Sequence, residues 1–434
     1  MNLFRKLQQR GAAGRPVCVG LVGAGKFGSM FLSQVPTTPG IEVAVIADLA
    51  PDRAKETCRR VGWDAARIEA TRFTDDASVL LAADDVEVVV EATGHAPAGI
   101  GHARGAIRNG KHIVMVNVEA DVLAGPLLAR EAARAGVVYT MAYGDQPALV
   151  CELVDWARAC GFKVIAAGKG TKYLPDYHAS TPATVWGYYG LTPEQARVGG
   201  MNPQMFNSFL DGTKSGIEMA AIANATGLTP PPDGLAFPPV GSDQLAEVLR
   251  PGNHDGGLHH AGQVEVVSSL HRDGSVVAND LRWGVYVVFE APGEYAARCF
   301  QEYGVVTDAT GRVSALYRPF HLIGLELNIS ILSAALRAEP TGVADGFRGD
   351  VVATAKRDLK AGEVLDGEGG SCVWGKLLPA RTSLEIGGLP IGLASRVPLV
   401  RDVKAGQCVT WRDARIDETD ATYRYRREME QAFA

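Results

Sequence analysis

PVCVGLVGAGKFGSMFLSQV, residues 16–35, joins a short apolar run, the glycine motif GAGKFG and a helical pattern of apolar residues. We predict that Gly23 makes the tight turn after a strand, that Gly25 lets the backbone approach a pyrophosphate, and that Gly28 permits close packing of helix on strand. The motif therefore predicts a dinucleotide-binding turn. A glycine-rich turn without a ligand is the alternative interpretation.

The side chains around this turn indicate which dinucleotide would bind. Lys26 and Phe27 lie inside the glycine motif and are assigned to the cofactor-binding loop. A second predicted strand, IEVAVIAD, ends in Asp48, which can accept hydrogen bonds from the adenosine ribose hydroxyls and repels a 2′-phosphate. We therefore predict NAD, with NADP as the alternative because Arg53 is near. The sequence leaves a divalent metal undetermined.

Three later apolar runs are also interpreted as buried parallel strands, at residues 86–94, 111–122 and 136–149. The carboxyl ends of such strands line the ligand crevice of the fold. Thr93 and Gly94 follow the first run, and Asn117 and Glu119 stand in the second. We predict that these four residues line the cofactor; a solvated loop is the alternative for Thr93.

Length and composition limit the protein's class. A chain of 434 residues suggests about three domains, and 47% hydrophobic residues are typical of a globular protein. The 43 basic and 49 acidic residues form no basic block, which argues against nucleic acid or an anionic membrane as partner. Seven cysteines without a CxxC pair, an N-terminus without an apolar signal core and no long apolar run predict a soluble cytoplasmic protein. PGNHDGG, residues 251–257, is predicted to be a surface connection.

Charged side chains at the start of an alanine-rich helix are the main catalytic candidates. DGTKSGIEMAAIANATG, residues 211–227, places Lys214 and Glu218 four residues apart on one helix face. Oxidation of an alcohol needs a group that takes the hydroxyl proton, and we assign that role to this pair. Lys169, between two glycines of AGKG, and Asp211 are predicted to orient it. The alternative is a solvated ion pair on the surface.

Arg318 and His321 form a further basic pair, just ahead of a long apolar stretch. Such a pair can bind a carboxylate or a phosphate, so both residues are included among the catalytic candidates. Helix capping and loop contacts are the alternative interpretation.

Five motifs together resemble the homoserine dehydrogenase-like oxidoreductases. They are GAGKFG, EATG, NGKHIVMVN, YGDQPA and DGTKSGIEMAAIANATG, and they extend over roughly the first two thirds of the chain. Three positions depart from the homoserine dehydrogenase pattern. Val118 stands where that family has a lysine, and Lys214 and Glu218 replace an aspartate followed by a lysine. The resemblance therefore implies a related enzyme with a substrate other than homoserine.

A closer resemblance is to the branch with a C-terminal SAF domain, which includes deoxyxylulose phosphate reductoisomerase-like enzymes. NGKHIVMVNVEADV, AGKG, residues 211–227 and RPFHL carry it. It implies a polyhydroxylated substrate, hydride transfer coupled to a skeletal rearrangement, and a homodimer or homotetramer. Asp48 departs from what an NADPH-using reductoisomerase would carry and favours a dehydrogenase.

The last part of the chain contains an internal repeat. KRDLKAGEVL, residues 356–365, and VRDVKAGQCV, residues 400–409, predict two related strand-turn-strand halves of a small β-clip that resembles a SAF domain. Lys360 and Lys404 occupy the two turns. Solvated turn lysines are the preferred interpretation, and a cofactor role is the alternative.

Together these observations predict an α/β protein with an N-terminal Rossmann domain, an α+β substrate and dimerisation domain, and a C-terminal β-clip (SAF) domain. The predicted segments are residues 1–147, 148–348, 349–415 and a helical tail at 416–434. The predicted function is an NAD(P)-dependent oxidoreductase acting on a polyhydroxylated acid or sugar-like small molecule. The alternatives are an NADPH-dependent phosphosugar reductoisomerase, a homoserine dehydrogenase and a nucleotide-sensing binding protein without catalysis.

Overall fold

The computed structural model describes residues 2–252 and 257–433. Residues 253–256, which belong to the predicted PGNHDGG connection, lie outside the described residues. The strands are β1 Val17–Val22, β2 Ile41–Ala47, β3 Arg72–Thr74, β4 Val88–Glu91, β5 His112–Met115, β6 Tyr139–Met141, β7 Lys163–Thr171, β8 Gln263–Ser268, β9 Val285–Glu290, β10 Val313–Arg318, β11 Gly349–Ala355, β12 Val364–Asp366, β13 Val373–Pro379 and β14 Ser395–Pro398.

The helices are α1 Leu3–Ala12, α2 Lys26–Gln34, α3 Pro51–Arg60, α4 Ala65–Ala70, α5 Ala77–Ala82, α6 Ala96–Arg108, α7 Val118–Ala135, α8 Gln146–Ala159, α9 Val185–Tyr189, α10 Pro193–Val198, α11 Pro203–Leu210, α12 Thr213–Thr226, α13 Leu245–Val248, α14 Glu294–Glu302, α15 Asn328–Arg337, α16 Ala380–Ile386 and α17 Ala421–Phe433. Within the described ranges, none of these helices is both long enough and apolar enough to cross a membrane.

The chain forms two compact units. Unit 1 contains residues 1–152 together with 321–345, and unit 2 contains residues 153–320 and 346–434. Helix α15 thus packs in unit 1, where Leu327 and Ile331 are buried in the same core cluster as strand β1. The division into four segments did not anticipate this return of the chain, and those segment boundaries remain a prediction.

Unit 1 is built on a six-stranded sheet in the order β3-β2-β1-β4-β5-β6. Every neighbouring pair of strands in this sheet is parallel. Strands β1, β4 and β5 are almost continuous apolar runs, as expected for parallel strands that are covered on both faces. The predicted Rossmann-like N-terminal sheet is confirmed.

The run at 111–122 was only partly predicted correctly, because strand β5 ends at Met115 and helix α7 begins at Val118. Asn117 ends the extended segment because its Oδ1 accepts a hydrogen bond from the Ala120 N–H at 3.1 Å and so caps the helix. Glu119 follows in the first helical turn, where a carboxylate is favoured by the helix dipole. The polar residues therefore start a helix instead of ending a strand.

Unit 2 contains a four-stranded sheet in the order β10-β9-β7-β8, in which β7 and β8 are parallel and β9 is antiparallel to its neighbours. Helix α12 packs against this sheet and against the antiparallel pair β11 and β13. The second contact is close. A Cβ on Gly216 would lie 3.0 Å from the Gly375 carbonyl oxygen, and one on Gly349 would lie 3.2 Å from the Ala220 Cα. The small residues of α12 therefore permit this approach.

The two copies of the repeat bind each other reciprocally. The Leu359 and Val403 backbones exchange hydrogen bonds of 2.8 and 3.0 Å. Lys360 Nζ lies 2.8 Å from an Asp402 oxygen, and Lys404 is paired in the same way with Asp358 of the other copy. Both lysine side chains are about two thirds exposed, so these pairs contribute little stability. The geometry is that of solvated turn lysines.

Candidate functional site

The glycine motif of unit 1 has the local geometry that a pyrophosphate site needs. Gly23 has φ of 94°, and a Cβ there would lie 2.9 Å from the Ala92 carbonyl oxygen. A Cβ on Gly28 would collide with the Gly23 carbonyl, so the helix could not pack as it does. Gly25 precedes helix α2, and nothing lies within 4 Å of the place where its Cβ would stand. Lys26 and Phe27 begin that helix, which presents its N-terminal amides beside this open cradle.

Asp48 lies against the glycine turn. Its Oδ2 accepts a hydrogen bond from the Ala24 N–H at 2.9 Å, and its Oδ1 accepts one from the Ala50 N–H at 2.9 Å. Arg53 lies 3.2 Å from Oδ1, but the arginine side chain is 71% exposed while that of Asp48 is 7% exposed. The carboxylate is therefore held in place by backbone groups, and it can accept further hydrogen bonds from ribose hydroxyls.

Asp48→Ser is expected to move the cofactor preference toward NADP. Removing the carboxylate removes its repulsion of a 2′-phosphate, and Arg53 is then free to bind that phosphate. We expect the ratio of the NAD to the NADP dissociation constant to rise about tenfold, equivalent to about 1.4 kcal/mol. Titration of NADH and NADPH fluorescence measures both constants, with Arg53→Ser as the control. Equal affinity of the unmodified protein for the two dinucleotides would contradict the assignment.

A hydrogen-bonded group lies beyond the end of strand β4. Glu91 is fully buried, and its Oε1 accepts a 2.5 Å hydrogen bond from the Thr93 hydroxyl and lies 3.2 Å from His102 Nδ1. Asn117 Nδ2 lies 3.5 Å from the Thr93 hydroxyl. Glu91 thereby fixes the orientation of Thr93, and its Oε2 has no hydrogen-bond partner among residues 2–252 and 257–433.

The remaining predicted cofactor residues lie near this group along the chain. Gly94 adopts φ of 68° directly after Thr93, and half-buried Glu119 stands in the first turn of α7, two residues after Asn117. The strand ends β4 and β5 thus bring Thr93 and Asn117 together, as the sequence predicted. Contact of all four residues with the cofactor remains a prediction.

Unit 2 contains a buried ion pair between a strand and a helix. Lys169 of β7 binds Glu218 of α12, and the two residues are only 6% and 4% exposed. Lys169 is thus a strand residue, and the flanking glycines 168 and 170 leave no room for a Cβ beside the neighbouring backbone. Lys214 stands one turn before Glu218 and is half-buried. The structure therefore brings Lys169 and Glu218 of the predicted set into contact, and the part of Lys214 in a site remains a prediction.

Asp211 belongs to a different ion pair. Its Oδ2 accepts a 2.7 Å hydrogen bond from Lys356, whose ammonium also donates to the carbonyls of Ser180 and Gly370 at 2.7 Å. Its Oδ1 accepts from the N–H of Thr213, the first residue of helix α12, at 2.9 Å. Burial raises the pKa of Asp211, and Lys356 opposes that shift. Asp211 therefore orients the start of α12, whereas the prediction had it orienting the Lys214 and Glu218 pair.

His178 is held beside the start of α12 by two hydrogen bonds. Its Nδ1 lies 2.7 Å from the Asp211 carbonyl oxygen, which only accepts, so Nδ1 carries the proton. Nε2 therefore accepts from the Tyr173 hydroxyl at 2.9 Å, and the Trp374 ring stacks on the imidazole at 3.8 Å. A cavity of about 220 Å³ adjoins these rings. Its lining is His178, Gly212, Asp233, Gly234, Leu235, Phe237, Trp374, Gly375, Lys376 and Leu377.

His178 is expected to make the protein sensitive to acid. Burial, with smaller contributions from Lys356 and Lys376, lowers the pKa of His178 to about 4, whereas the unfolded chain binds this proton near 6.5. Between these pH values the unfolded state binds more protons, so the free energy of unfolding falls by about 3 kcal/mol as pH drops from about 6.5 to 4. Urea unfolding across that range checks it. His178→Gln should flatten the profile, and exposed His271→Gln should leave it unchanged.

Arg318 and His321 are assigned to different compact units of the chain. Arg318 ends strand β10 in unit 2, and its guanidinium carbon lies 5.6 Å from the Phe320 ring centre. His321 is the first residue of the segment that returns to unit 1. Their place in a site remains a prediction. Within the described ranges, no three His, Cys, Asp or Glu side chains come together as a set of metal ligands.

Comparison with known proteins identifies both units. Residues 23–140 match the family model described as the homoserine dehydrogenase NAD-binding domain. Residues 144–327 match the family model described as the catalytic domain of oxidoreductase DRL. The second match contains Lys169, Lys214 and Glu218, and the first contains the glycine motif and Asp48.

Individual proteins are less informative. A glycosyl hydrolase family 109 protein of Saccharopolyspora erythraea is 32% identical over 103 residues, which cover 22% of this chain and 21% of the relative, so the chain spans about a fifth of that protein. A probable dehydrogenase of Thermotoga maritima is 14% identical over 74% of this chain and 90% of that one, with a TM-score of 0.40. A homoserine dehydrogenase of Thiobacillus denitrificans is 19% identical over 49% of each chain, with a TM-score of 0.36.

The function of the chain therefore follows from the two family models and not from these distant structures. A nicotinamide cofactor fits the open cradle at Gly25 and the adjacent carboxylate of Asp48. Residues 23–140 thus match a homoserine dehydrogenase NAD-binding domain and residues 144–327 the catalytic domain of an oxidoreductase, and these matches together indicate NAD(P)-dependent oxidoreductase chemistry.

Proposed function

We propose that the enzyme interconverts an alcohol and a carbonyl group in a polyhydroxylated acid or sugar-like small molecule, with NAD as the preferred cofactor. The buried Lys169–Glu218 pair carries the proposal, together with Lys214 one turn away on α12. Burying two charges is costly, and such a pair is retained more often for position and chemistry than for stability. A sensing protein without catalysis has no need of it.

The roles follow from the chemistry of alcohol oxidation. The nicotinamide ring, when bound, accepts the hydride together with the bonding electron pair of the C–H bond. Lys214 takes the hydroxyl proton, so the C–O single bond becomes a carbonyl. Lys169 stabilises the oxygen while negative charge develops on it, and Glu218 holds the Lys169 ammonium in that direction. In the reverse direction Lys214 returns the proton.

The charges on α12 also bear on the substrate. Lys214 and Glu218 reverse the aspartate and lysine of the homoserine dehydrogenase pattern, so the amino group of homoserine would meet Lys214 where that pattern has an acid. A hydroxyl or carboxylate is the better partner for that lysine. A second form of the proposal, in which a skeletal rearrangement accompanies hydride transfer, rests on the resemblance of NGKHIVMVNVEADV, AGKG, residues 211–227 and RPFHL to reductoisomerase-like enzymes.

A ligand screen tests the proposal. Sugar acids, polyols and their phosphates are added with NAD or NADP, and melting temperature and absorbance at the nicotinamide band are recorded. A ligand that binds only the folded state raises the melting temperature. At least one compound should do so and also change the cofactor's redox state. Tight NADH binding with no turnover of any compound would favour the nucleotide-sensing alternative.

Three further proposals concern the setting of the enzyme. The reciprocal repeat supports a SAF-like β-clip at residues 349–415.

Strand β10 is an edge strand in which Leu316 is 37% exposed and Tyr317 is 44% exposed. This exposed edge supports a homo-oligomer formed through β10. The odd number of cysteines supports a cytoplasmic location.

A further inference from the structure

Residues 349–415, the C-terminal repeat segment, hold helix α12 at both ends. At its start, Lys356 binds Asp211, and the Gly375 N–H donates to the Thr213 hydroxyl at 2.8 Å. At its end, Asn224 Oδ1 accepts from the Gly349 N–H at 2.9 Å. The segment therefore packs along the helix and is also hydrogen-bonded to its first and last turns.

These contacts lie on the side of α12 away from the acid/base residues. Gly216 and Ala220 face strands β13 and β11. Lys214 and Glu218 lie about 160 to 200° around the helix from Gly216, since each residue advances about 100°. The C-terminal repeat segment thus supports the back of the helix that carries the proposed acid/base pair, and a shift of this support would move that pair.

The repeat itself marks Lys356 as unusual. Lys360 and Lys404 occupy equivalent positions and make equivalent exposed ion pairs. Lys356 instead corresponds to Val400 of the second copy, an uncharged residue that is 47% exposed. The fold of the repeat therefore needs no lysine at this position. The role of Lys356 must therefore lie in its contacts with residues outside the repeat.

The surroundings of Lys356 show what it serves. Its side chain is 2% exposed, and the three oxygens it binds, on Asp211, Ser180 and Gly370, belong to three separate segments of unit 2. An ammonium donates three hydrogen bonds, so all of its donors are used at 2.7 Å. Asp211 is itself fully buried and accepts a hydrogen bond from the first N–H of α12, that of Thr213. The start of the helix is thus tied to the C-terminal repeat segment through one charged contact.

We infer that Lys356 is a positioning residue for catalysis. It fixes the first turn of α12, and thereby Lys214, relative to Lys169 on the sheet. The claim that Lys356 positions Lys214 for catalysis rests on the proposed function. The claim that Lys356 fixes the first turn of α12 does not. Loss of Lys356 should loosen the first turn of α12 and misplace the acid/base residues, and it should leave the glycine cradle of unit 1 unchanged.

Hydrogen exchange of the full-length protein, followed by mass spectrometry, tests the structural part without a substrate. In Lys356→Met, the amides of the first two turns of α12 should exchange at least about tenfold faster than in the unmodified protein. Lys404→Met is the control for the loss of a repeat lysine, because Lys404 is exposed and pairs with Asp358 and not with Asp211, and its α12 should exchange normally. Peptides from strand β2 in unit 1 should be unchanged in both. Unchanged exchange of α12 in Lys356→Met would overturn the inference.

Turnover of the best compound from the ligand screen tests the catalytic part. Lys356→Met should lower kcat about 10- to 100-fold with an unchanged dissociation constant for NADH, and Lys356→Arg should recover part of the loss. Normal kcat in Lys356→Met while Lys214→Met is inactive would overturn the positioning role alone. Normal kcat in Lys214→Met would instead contradict the proposed function, and the exchange result would still stand.

A second variant covers the case in which Lys356→Met does not fold because Asp211 is left buried without a partner. Lys356→Met combined with Asp211→Asn removes both charges and keeps a side-chain oxygen that can accept from the Thr213 N–H. This double variant should fold, and its first helical turn should still exchange faster than in the unmodified protein. Exchange equal to that of the unmodified protein would show that Lys356 does not position the helix.

Discussion

Lys214→Met is expected to fold, to bind NADH normally and to lose about 10²-fold or more of its turnover. The methionine keeps most of the volume of the lysine side chain but can neither take nor return a proton. Lys214 stands in the first turn of α12, four residues before Glu218, and the substitution removes the one group to which the proposal assigns the hydroxyl proton. Initial rates with the best compound of the ligand screen, with NADH fluorescence titration beside them, measure the two quantities separately.

Two further variants decide how that result is interpreted. Lys163 is a 66% exposed lysine near the start of β7 that pairs with Glu290, so Lys163→Met is a control for the loss of a lysine. Its turnover should be unchanged. Glu218→Gln keeps a hydrogen-bond acceptor for Lys169 but removes the negative charge, and it should lower kcat more than it raises KM. Near-normal turnover of Lys214→Met would mean that its role is that of an ordinary surface lysine.

Arg426→Met is expected to lower the free energy of unfolding of unit 2 by about 3 to 5 kcal/mol. Arg426 is fully buried and binds Asp350 Oδ2 at 2.7 Å and Glu430 Oε1 at 2.9 Å. Its guanidinium also lies 4.9 Å from the Phe347 ring centre. Removal of the guanidinium leaves Asp350 buried without this cation and leaves Glu430 paired with Arg427 alone, whereas the methionine replaces only the apolar part of the side chain. The midpoint of urea unfolding, followed by tryptophan fluorescence, measures the loss.

Burial is what makes Arg426 costly to remove, and a matched variant at an exposed ion pair checks this. Arg381 and Glu385 form an ion pair at the same helical spacing as Arg426 and Glu430, but their side chains are 90% and 60% exposed. Arg381→Met should change stability by less than about 0.5 kcal/mol. Arg426→Lys should recover only part of the loss, because an ammonium lacks the planar donor geometry that serves both carboxylates. Equal effects of Arg381→Met and Arg426→Met would refute the argument.

The sequence predicted best what depends on neighbouring residues. The strand at 17–22, the glycine turn and Asp48 follow one another within a short stretch, and their local geometry is as expected. The helix from Val118 was missed because its first residues continue an apolar run, and only the capping bond of Asn117 ends the strand. A bond from a side chain to a nearby N–H is hard to recognise from residue types alone.

The candidate site was predicted only as far as residue types allow. Lys169 and Glu218 were both named, but their pairing depends on strand β7 and helix α12 meeting in space. Asp211 was given the wrong partner because Lys356 lies far away along the chain. The sequence did contain one signal for Lys356, because the two copies of the repeat differ at this position. A charged residue that a repeat does not share with its own copy is a candidate for a role outside the repeat.

The return of residues 321–345 to unit 1 has a consequence for the order in which the protein can form during synthesis. Ile331 and Leu327 fill the core beneath strand β1, so the first unit lacks part of its interior until residue 345 has left the ribosome. Translation at about 5–20 residues per second separates residue 152 from residue 345 by roughly 10–40 s. During that interval the nascent nucleotide-binding sheet exposes an apolar surface, which makes chaperone binding to the growing chain an expected requirement.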